Sequence, residues 1–371
     1  MDDLLLSEYL IKKARLSKYL EEKNSDGVFL TRRSNYSWLT CGARNKIADC
    51  TDNGSASLLF CKDKLYLFTT NIEMQRMIDE EINNFSFIEY VEYKWFKPED
   101  LKKKVTGIVD LNKIRQDAVI LDDVKLMDND FNKIKYCLTD GEKSRYIELG
   151  KMSTKCMTQT CNEIKKGMSE FKVQAILSDY LISSGITPWI ILAASDERLF
   201  KYRHPVPTDK KIKNYAMVVV GALKWGLITA ITRLVYFGKL TEEILNARNI
   251  ITGIDSEMIL SSRPGIKYSD VFINEIKKFK EYGLGNEWVN HHQGGSIGYE
   301  GRYFLAAQQS KEVIEENHAI AWNPSMRGFK SEDTFIVRKE GNLIITEDEN
   351  WPKIEIETKY GKISRPDILI K

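Results

Sequence analysis

Residues 216–237 read AMVVVGALKWGLITAITRLVYF. Two apolar, β-branched runs, Ala216–Leu223 and Ile228–Phe237, flank Lys224–Trp225–Gly226, which predicts two strands joined by a turn. Upstream, the spacing predicts two long helices, Ser144–Lys165 and Glu170–Ser184, broken at Gly167. Ser169 is placed to cap the second, with Glu170 near its positive end. Beyond Pro188 the chain turns β-rich. Downstream, helices are expected at Thr241–Thr252 and Tyr268–Tyr282. A glycine-rich segment, a helical stretch near Ser310–Glu316 and strands at Ala319–Asn323, Thr334–Arg338 and Leu343–Thr346 follow.

The first 140 residues differ in pattern. An amphipathic helix over 4–24 precedes strands at Gly27–Leu30, Ala56–Cys61 and Leu65–Thr69, the last two closed by Lys62–Asp63–Lys64. A helix at Ile72–Ile82, a strand within FSFIEYVEY, a helix near Pro98–Val105 and a strand at Ala118–Asp122 complete an alternating unit. The Thr139–Asp140–Gly141 turn signal then separates a domain over 1–140 from one over 141–371. A total of 371 residues also argues for two domains, since single cores rarely grow past roughly 250–300 residues.

Composition narrows the function classes. Hydrophobic residues make up 43% and charged residues 29%, the balance of a globular protein. Lys plus Arg is 55 and Asp plus Glu 53, a net charge of +2, which predicts no nucleic-acid or acidic-membrane partner. The apolar runs are far shorter than the ~20 residues of a membrane span. The N-terminus carries acids where a secretion signal carries bases. The six cysteines form no CxxC pair and read as reduced thiols of a cytoplasmic protein.

Several segments in register resemble the creatinase and Xaa-Pro peptidase superfamily, which includes prolidase and aminopeptidase P. They are Gly167–Met168–Ser169–Glu170, Tyr202 to Thr208 (YRHPVPT), Ile231–Thr232–Arg233 with Tyr236–Phe237–Gly238, Gly294–Arg302 and Asn323–Asp333. Asn35 to Thr40 (NYSWLT) and Asn71–Ile72–Glu73 resemble the accessory domain of creatinase and prolidase. The resemblance covers nearly the whole chain. It implies an α+β protein: an α/β N-terminal domain, then a C-terminal pita-bread domain of two curved antiparallel halves covered by helices, with a pocket between the halves.

Active members hold two metal ions with two Asp, one His and two Glu, and use them to make a hydroxide and polarise a carbonyl. Carried over residue by residue, the resemblance puts Val219 and Ala230 at the Asp positions, Gly295 at the His and Asn323 at the first Glu. Only Glu332 is retained. A three-residue shift, with a gap, would put His292 at the His position instead. Val, Ala and Gly offer no lone pair and Asn only a neutral oxygen, so the expectation is no metal and no other cofactor.

The resemblance leaves a polar pocket. His204 matches a substrate-contacting His, and Arg302 stands where active members place a second catalytic His. With Glu332 these are the candidate catalytic residues. A guanidinium cannot serve as a base but can clamp a carboxylate. Glu332 and Lys330, two apart on one expected strand, share a face, and Thr232 shares the face of Ala230. His291, His292, Asn323, Thr232 and Lys330 are the candidate substrate contacts. In an extended segment His291 and His292 would point to opposite faces, which argues against a rebuilt metal site. His318 reads as a surface or cap residue.

The expected ligand is a small amino-acid-like molecule, an Xaa-Pro peptide or a guanidino compound. The expected activity is metal-independent hydrolysis of a C–N bond. A catalytically silent binding protein and a metal-dependent Xaa-Pro peptidase with an atypical site are the alternatives. The resemblance also implies a homodimer.

Overall fold

A computed structural model describes residues 3–371. Met1 and Asp2, part of the segment read for a secretion signal, lie outside the described residues. The chain divides into two compact units, one comprising the chain up to Lys135 with Thr139–Glu142 and Trp225–Leu227, the other the remainder.

The first unit opens with α1 (Asp3–Glu22), β1 (Gly27–Arg32), α2 (Arg33–Leu39), β2 (Asn53–Cys61) and β3 (Lys64–Thr70). α3 (Met74–Arg76) runs into a π-turn, Met77–Glu81, so the helix expected over 72–82 is shorter and irregular. β4 (Glu89–Tyr93), α4 (Glu99–Thr106), β5 (Ile114–Gln116), β6 (Lys125–Leu126) and α5 (Asp130–Lys133) follow. The strands form one mixed sheet in the order β4-β3-β2-β1-β5-β6. Phe29, Leu59 and Phe68 pack there with Val105 and Val109.

Residues 118–122 are not a strand. Asp117 accepts from the backbone N–H groups of Thr31 (2.7 Å) and Arg32 (3.0 Å), which ends β5. The buried Gln116 amide then takes over the backbone groups that a strand would need. Its oxygen accepts from Ile120 and Leu121, and its nitrogen donates to the carbonyls of Leu121 and Val124.

α6 (Asp140–Glu163) starts where a turn was expected. Thr139–Asp140–Gly141–Glu142 is a capping box: Thr139 N–H donates to Glu142 (2.8 Å) and Glu142 N–H to the Thr139 hydroxyl (3.2 Å). α7 (Glu170–Ser183) is capped by Ser169 as anticipated, its hydroxyl accepting from Lys172 N–H at 3.2 Å.

The second unit then builds two larger sheets and two two-stranded ones. β7 (Thr187–Ser195), a short α8 (Glu197–Lys201), β8 (Tyr215–Lys224) and β9 (Leu227–Tyr236) precede α9 (Glu242–Ser261) and α10 (Tyr268–Glu281). β10 (Gly294–Ser296), β11 (Phe304–Leu305), β12 (Ala319–Trp322), β13 (Ser325–Met326), β14 (Phe329–Lys330), β15 (Asp333–Ile336) and β16 (Leu343–Ile344) come next. β17 (Lys353–Thr358), β18 (Gly361–Pro366) and β19 (Leu369–Ile370) close the chain. One larger sheet has the order β19-β9-β8-β7, the other β11-β10-β12-β15-β16; β13 pairs with β14 and β17 with β18. Val219 of β8 and Leu234 of β9 share a core with Ile254 and Met258 of α9, Phe272 of α10, Trp322 and Phe335.

α9 runs nine residues past the expected Thr252. The helix expected near 310–316 is absent because its backbone groups pair with residues 265–268. Gly265 and Tyr268 N–H donate to Ile314 and Glu312 carbonyls, and Ile314 N–H donates to Ile266. No described helix is long and apolar enough to cross a membrane.

Candidate functional site

His204 sits in the loop between α8 and β8, and the second unit holds that loop from both ends. Glu170, the buried first residue of α7, accepts from Ser195 N–H and hydroxyl (both 2.9 Å) and from Thr208 N–H (3.0 Å) and hydroxyl (2.7 Å). It also pairs with Arg198, whose other nitrogen donates to the Val206 carbonyl at 2.8 Å. Asp196, at φ +53°, caps the N–H groups of Lys213, Asn214 and Tyr215. Arg203 pairs with Glu287 in the 3-10 turn Glu287–Asn290, which leads directly into His291 and His292.

That pairing brings three imidazoles together. His204 Nε2 and His291 Nε2 are 3.1 Å apart, so one carries the proton and the other accepts it. His291 Nδ1 lies 3.2 Å from the Ser325 hydroxyl. His291 and His292 stack with ring centroids 4.5 Å apart, and the His204 centroid lies 4.8 Å and 5.7 Å from them. The expectation of opposite faces is therefore corrected. The pair leaves a 3-10 turn rather than lying in a paired strand, so strand alternation does not govern it.

Burial first, and then the nearby Lys330, pushes the His204 imidazole below its ordinary value. The same two causes, in that order, lower His291. Burial followed by Arg302 lowers His292 to about 4. All three are thus neutral near pH 7.

Beside them is an ionic knot. Glu332 Oε2 accepts from Lys330 (2.7 Å) and from the Thr232 hydroxyl (2.8 Å), and Glu332 Oε1 from Arg302 (3.1 Å). Burial drives the carboxyl upward, but Lys330 and Arg302 outweigh it and hold Glu332 down at about 2. Lys330 ends β14 and Glu332 precedes β15, so the two meet across a bend between short strands rather than along one strand. Ser325, which meets His291, is the register partner of Lys330 across β13 and β14, so imidazoles and knot adjoin. Asn323 is buried nearby. Its N–H donates to the Gln293 carbonyl (3.0 Å), and its side-chain oxygen has no hydrogen-bond partner.

The positions aligned with a metal pair do not fit one. Val219 and Ala230 are buried and carry no donor atom. Gly295 is held between β11 and β12, and a Cβ there would lie 2.3 Å from the Phe304 carbonyl oxygen, so this backbone admits no side chain. Both oxygens of Glu332 are already engaged. Two dications need several charged oxygens, and the set supplies one carboxylate, already neutralised by cations.

The sequence reading missed the network beneath the knot. Asp333 accepts from Arg233 at 2.9 Å and Arg365 at 2.9 Å, and Arg365 also pairs with Asp255 at 2.6 Å. Ser331 donates to Asp255 at 2.6 Å. These bonds grip residues 331 and 333 on either side of Glu332. The signal was available in Arg233, a charge inside the apolar strand LITAITRLVY, which requires a buried partner. His318, expected at the surface, is buried, and its Nδ1 lies 3.3 Å from both the Tyr268 hydroxyl and Glu315 N–H.

Comparison with known proteins agrees with this architecture. The profile described as "Metallopeptidase family M24" matches residues 144–347, and that of the "Creatinase/Prolidase N-terminal domain" matches residues 12–118. An Xaa-Pro dipeptidase of Pyrococcus horikoshii is 22% identical over 359 residues, covering 91% of this chain and 97% of that one. An uncharacterized peptidase of Staphylococcus aureus is 24% identical over 366 residues, covering 90% and 98%.

Among solved structures, the Xaa-Pro dipeptidase from Bacillus anthracis superposes with a TM-score of 0.79 at 20% identity, covering 98% of this chain and all of that one. The N-terminal domain of a FACT complex subunit from Cicer arietinum superposes at 0.70 with 12% identity, covering 92% and 96%. At these identities the superpositions show the fold alone: an N-terminal α/β domain followed by a pita-bread domain. On its sequence and its fold, the chain belongs to metallopeptidase family M24, with a creatinase/prolidase N-terminal domain.

Proposed function

We propose that this member of the family is a hydrolase of small C–N-bonded molecules that works without the family's metal pair. The substrate class is an amino-acid-like compound, an Xaa-Pro peptide or a guanidino compound. The observation that carries the reading is Glu332, locked by Lys330, Arg302 and Thr232 beside three neutral imidazoles. In this reading the imidazole group, entered through the exposed His204, polarises the scissile bond. Arg302 offers its remaining N–H donors to a substrate carboxylate. Glu332 sets the positions of Lys330 and Arg302, with Asn323 contributing its unpaired oxygen to the substrate. A cytoplasmic homodimer is part of the same proposal, by likeness to the family.

The test is a panel of dipeptides, amides and guanidines assayed with the wild type and with His204→Ala. Turnover that falls on the order of 100-fold or more in the variant is expected. Two equivalents of manganese or cobalt bound through Glu332 would instead return the chain to an ordinary peptidase mechanism. The second reading, a binding protein, is favoured by Val219, Ala230 and Gly295, which offer no donor side chain at the positions aligned with the metal ligands. It predicts no turnover, but a raised melting temperature with the same compounds.

A further inference from the structure

We propose that His204, His291 and His292 form a site for a single late first-row dication, of the zinc, cobalt, nickel or copper class. Three imidazole nitrogens serve as protein ligands, and a water or an anion of the substrate fills the fourth position. The inference rests on the functional reading in one respect: it names the agent through which the imidazole group polarises the scissile bond. It departs from the metal-free expectation drawn from sequence.

The geometry is close to that of a metal centre. One ligand nitrogen from each ring lies within 4.8 Å of the others. The closest pair, His204 Nε2 and His291 Nε2, is 3.1 Å apart. In a tetrahedral site with metal–nitrogen bonds of about 2.0–2.1 Å, two ligand nitrogens stand about 3.3–3.4 Å apart. The nitrogens therefore already stand close to ligand separation, and the rings complete the set by turning so that their lone pairs meet at an ion off the line that joins them.

The surroundings fit as well. The second nitrogen of His291 meets the Ser325 hydroxyl at 3.2 Å, the kind of outer partner that orients a metal-bound imidazole. His292 Nδ1 is buried with no hydrogen-bond partner, although buried polar atoms are nearly always paired. His204 is exposed and gives an ion a way in.

The donor set selects the metal. Three neutral nitrogens and no carboxylate favour zinc, cobalt, nickel or copper over manganese, magnesium or calcium. Charge selects the fourth ligand. Lys330 and Arg302 share Glu332, which leaves one positive charge in surplus, so the ion is best accommodated together with an anion.

The experiment is a titration of the full chain, stripped with chelator and dialysed, with Co²⁺ followed by visible absorption. One equivalent is expected, giving the strong bands of four-coordinate cobalt, displaced by zinc and not by manganese. His204→Gln, at an exposed position, keeps the fold and weakens binding on the order of 100-fold. His291→Gln and His292→Gln, checked for folding by circular dichroism, do the same.

No saturable uptake, or uptake undiminished in His204→Gln, overturns the site. A thiolate-to-cobalt charge-transfer band overturns it too, by locating the ion at Cys137, Glu315 and His318, the second such group among the described residues. Two equivalents lost in Glu332→Gln overturn it in favour of the carboxylate cage. Because the readout is uptake, an inert substrate panel sinks the hydrolase reading alone, and absent uptake sinks this inference alone.

Discussion

At Glu332 one buried carboxylate is shared by two cations and a hydroxyl. In a metal cage it would share two dications; here it satisfies the buried Lys330, the part-buried Arg302 and a hydroxyl. Removing its charge leaves the buried Lys330 and the part-buried Arg302 without a counter-charge. Glu332→Gln is therefore expected to cost on the order of 3–5 kcal/mol, read from urea unfolding, and Lys330→Met in the same background should recover part of the loss. A cost below about 1 kcal/mol would mean that the knot is solvated and contributes little. Val219, Ala230 and Gly295 were legible as non-ligands in the sequence because their chemistry is absolute. How Glu332 is partnered was partly legible: Lys330 is two residues away and the resemblance put Arg302 in the same pocket, but the hydrogen bond from Thr232, 100 residues away, was not foreseen.

Between residue and fold, the loop bearing His204 depends on the first turn of α7. Glu170 was read as a favourable charge at the positive end of a helix, and its larger role is to accept four hydrogen bonds and an ion pair from residues 195–208. Glu170→Gln keeps the shape but loses the charge. It is expected to destabilise by about 3 kcal/mol and to speed amide hydrogen exchange across 196–208 while leaving α9 protected. Uniform acceleration through both segments would show that Glu170 stabilises the whole unit rather than this loop. Elements with strong local signals were found where expected: Ser169 and the helix it caps, and the 216–237 hairpin. Residues 118–122 and 310–316 were misread because Gln116 and residues 265–268 capture their backbone groups. Residues 265–268 lie far from 310–316 in the chain, whereas Gln116 is only five positions from Leu121 but competes because the fold buries its amide against that segment.

For the molecule as a whole, acid is the revealing variable. His292 and His318 are both lowered from 6.5 to about 4, burial being the main cause. A folded-state value below the unfolded one means that the unfolded chain binds the proton first. Their contribution is complete above pH 6.5 and is lost as pH falls towards 4. Glu332, depressed from 4.5 to about 2, adds a second loss as pH falls from 4.5 through 2. Glu275 acts in the opposite sense, since burial and then Asp255 raise it well above its ordinary value. The histidine share is therefore read as a difference. In chelator-treated protein, the urea midpoint should fall between pH 6.5 and 4 more steeply for the wild type than for His318→Gln. Parallel curves would place the His318 proton outside the folding equilibrium.

The family, the principal helices and strands, and the side chains that stand at the positions aligned with the family's metal ligands were determined by the amino-acid sequence alone. Periodicity, caps and the identity of side chains at aligned positions are local properties of the chain. The packing of His204 against His291 and His292, the hydrogen bond from Thr232 to Glu332 and the geometry of the Arg302 pair were decided only by tertiary structure. Such contacts join residues 30 to 100 positions apart. Their geometry follows from sheet register, the Arg203–Glu287 pair and a 3-10 turn, none of which leaves a signature in the neighbouring residues.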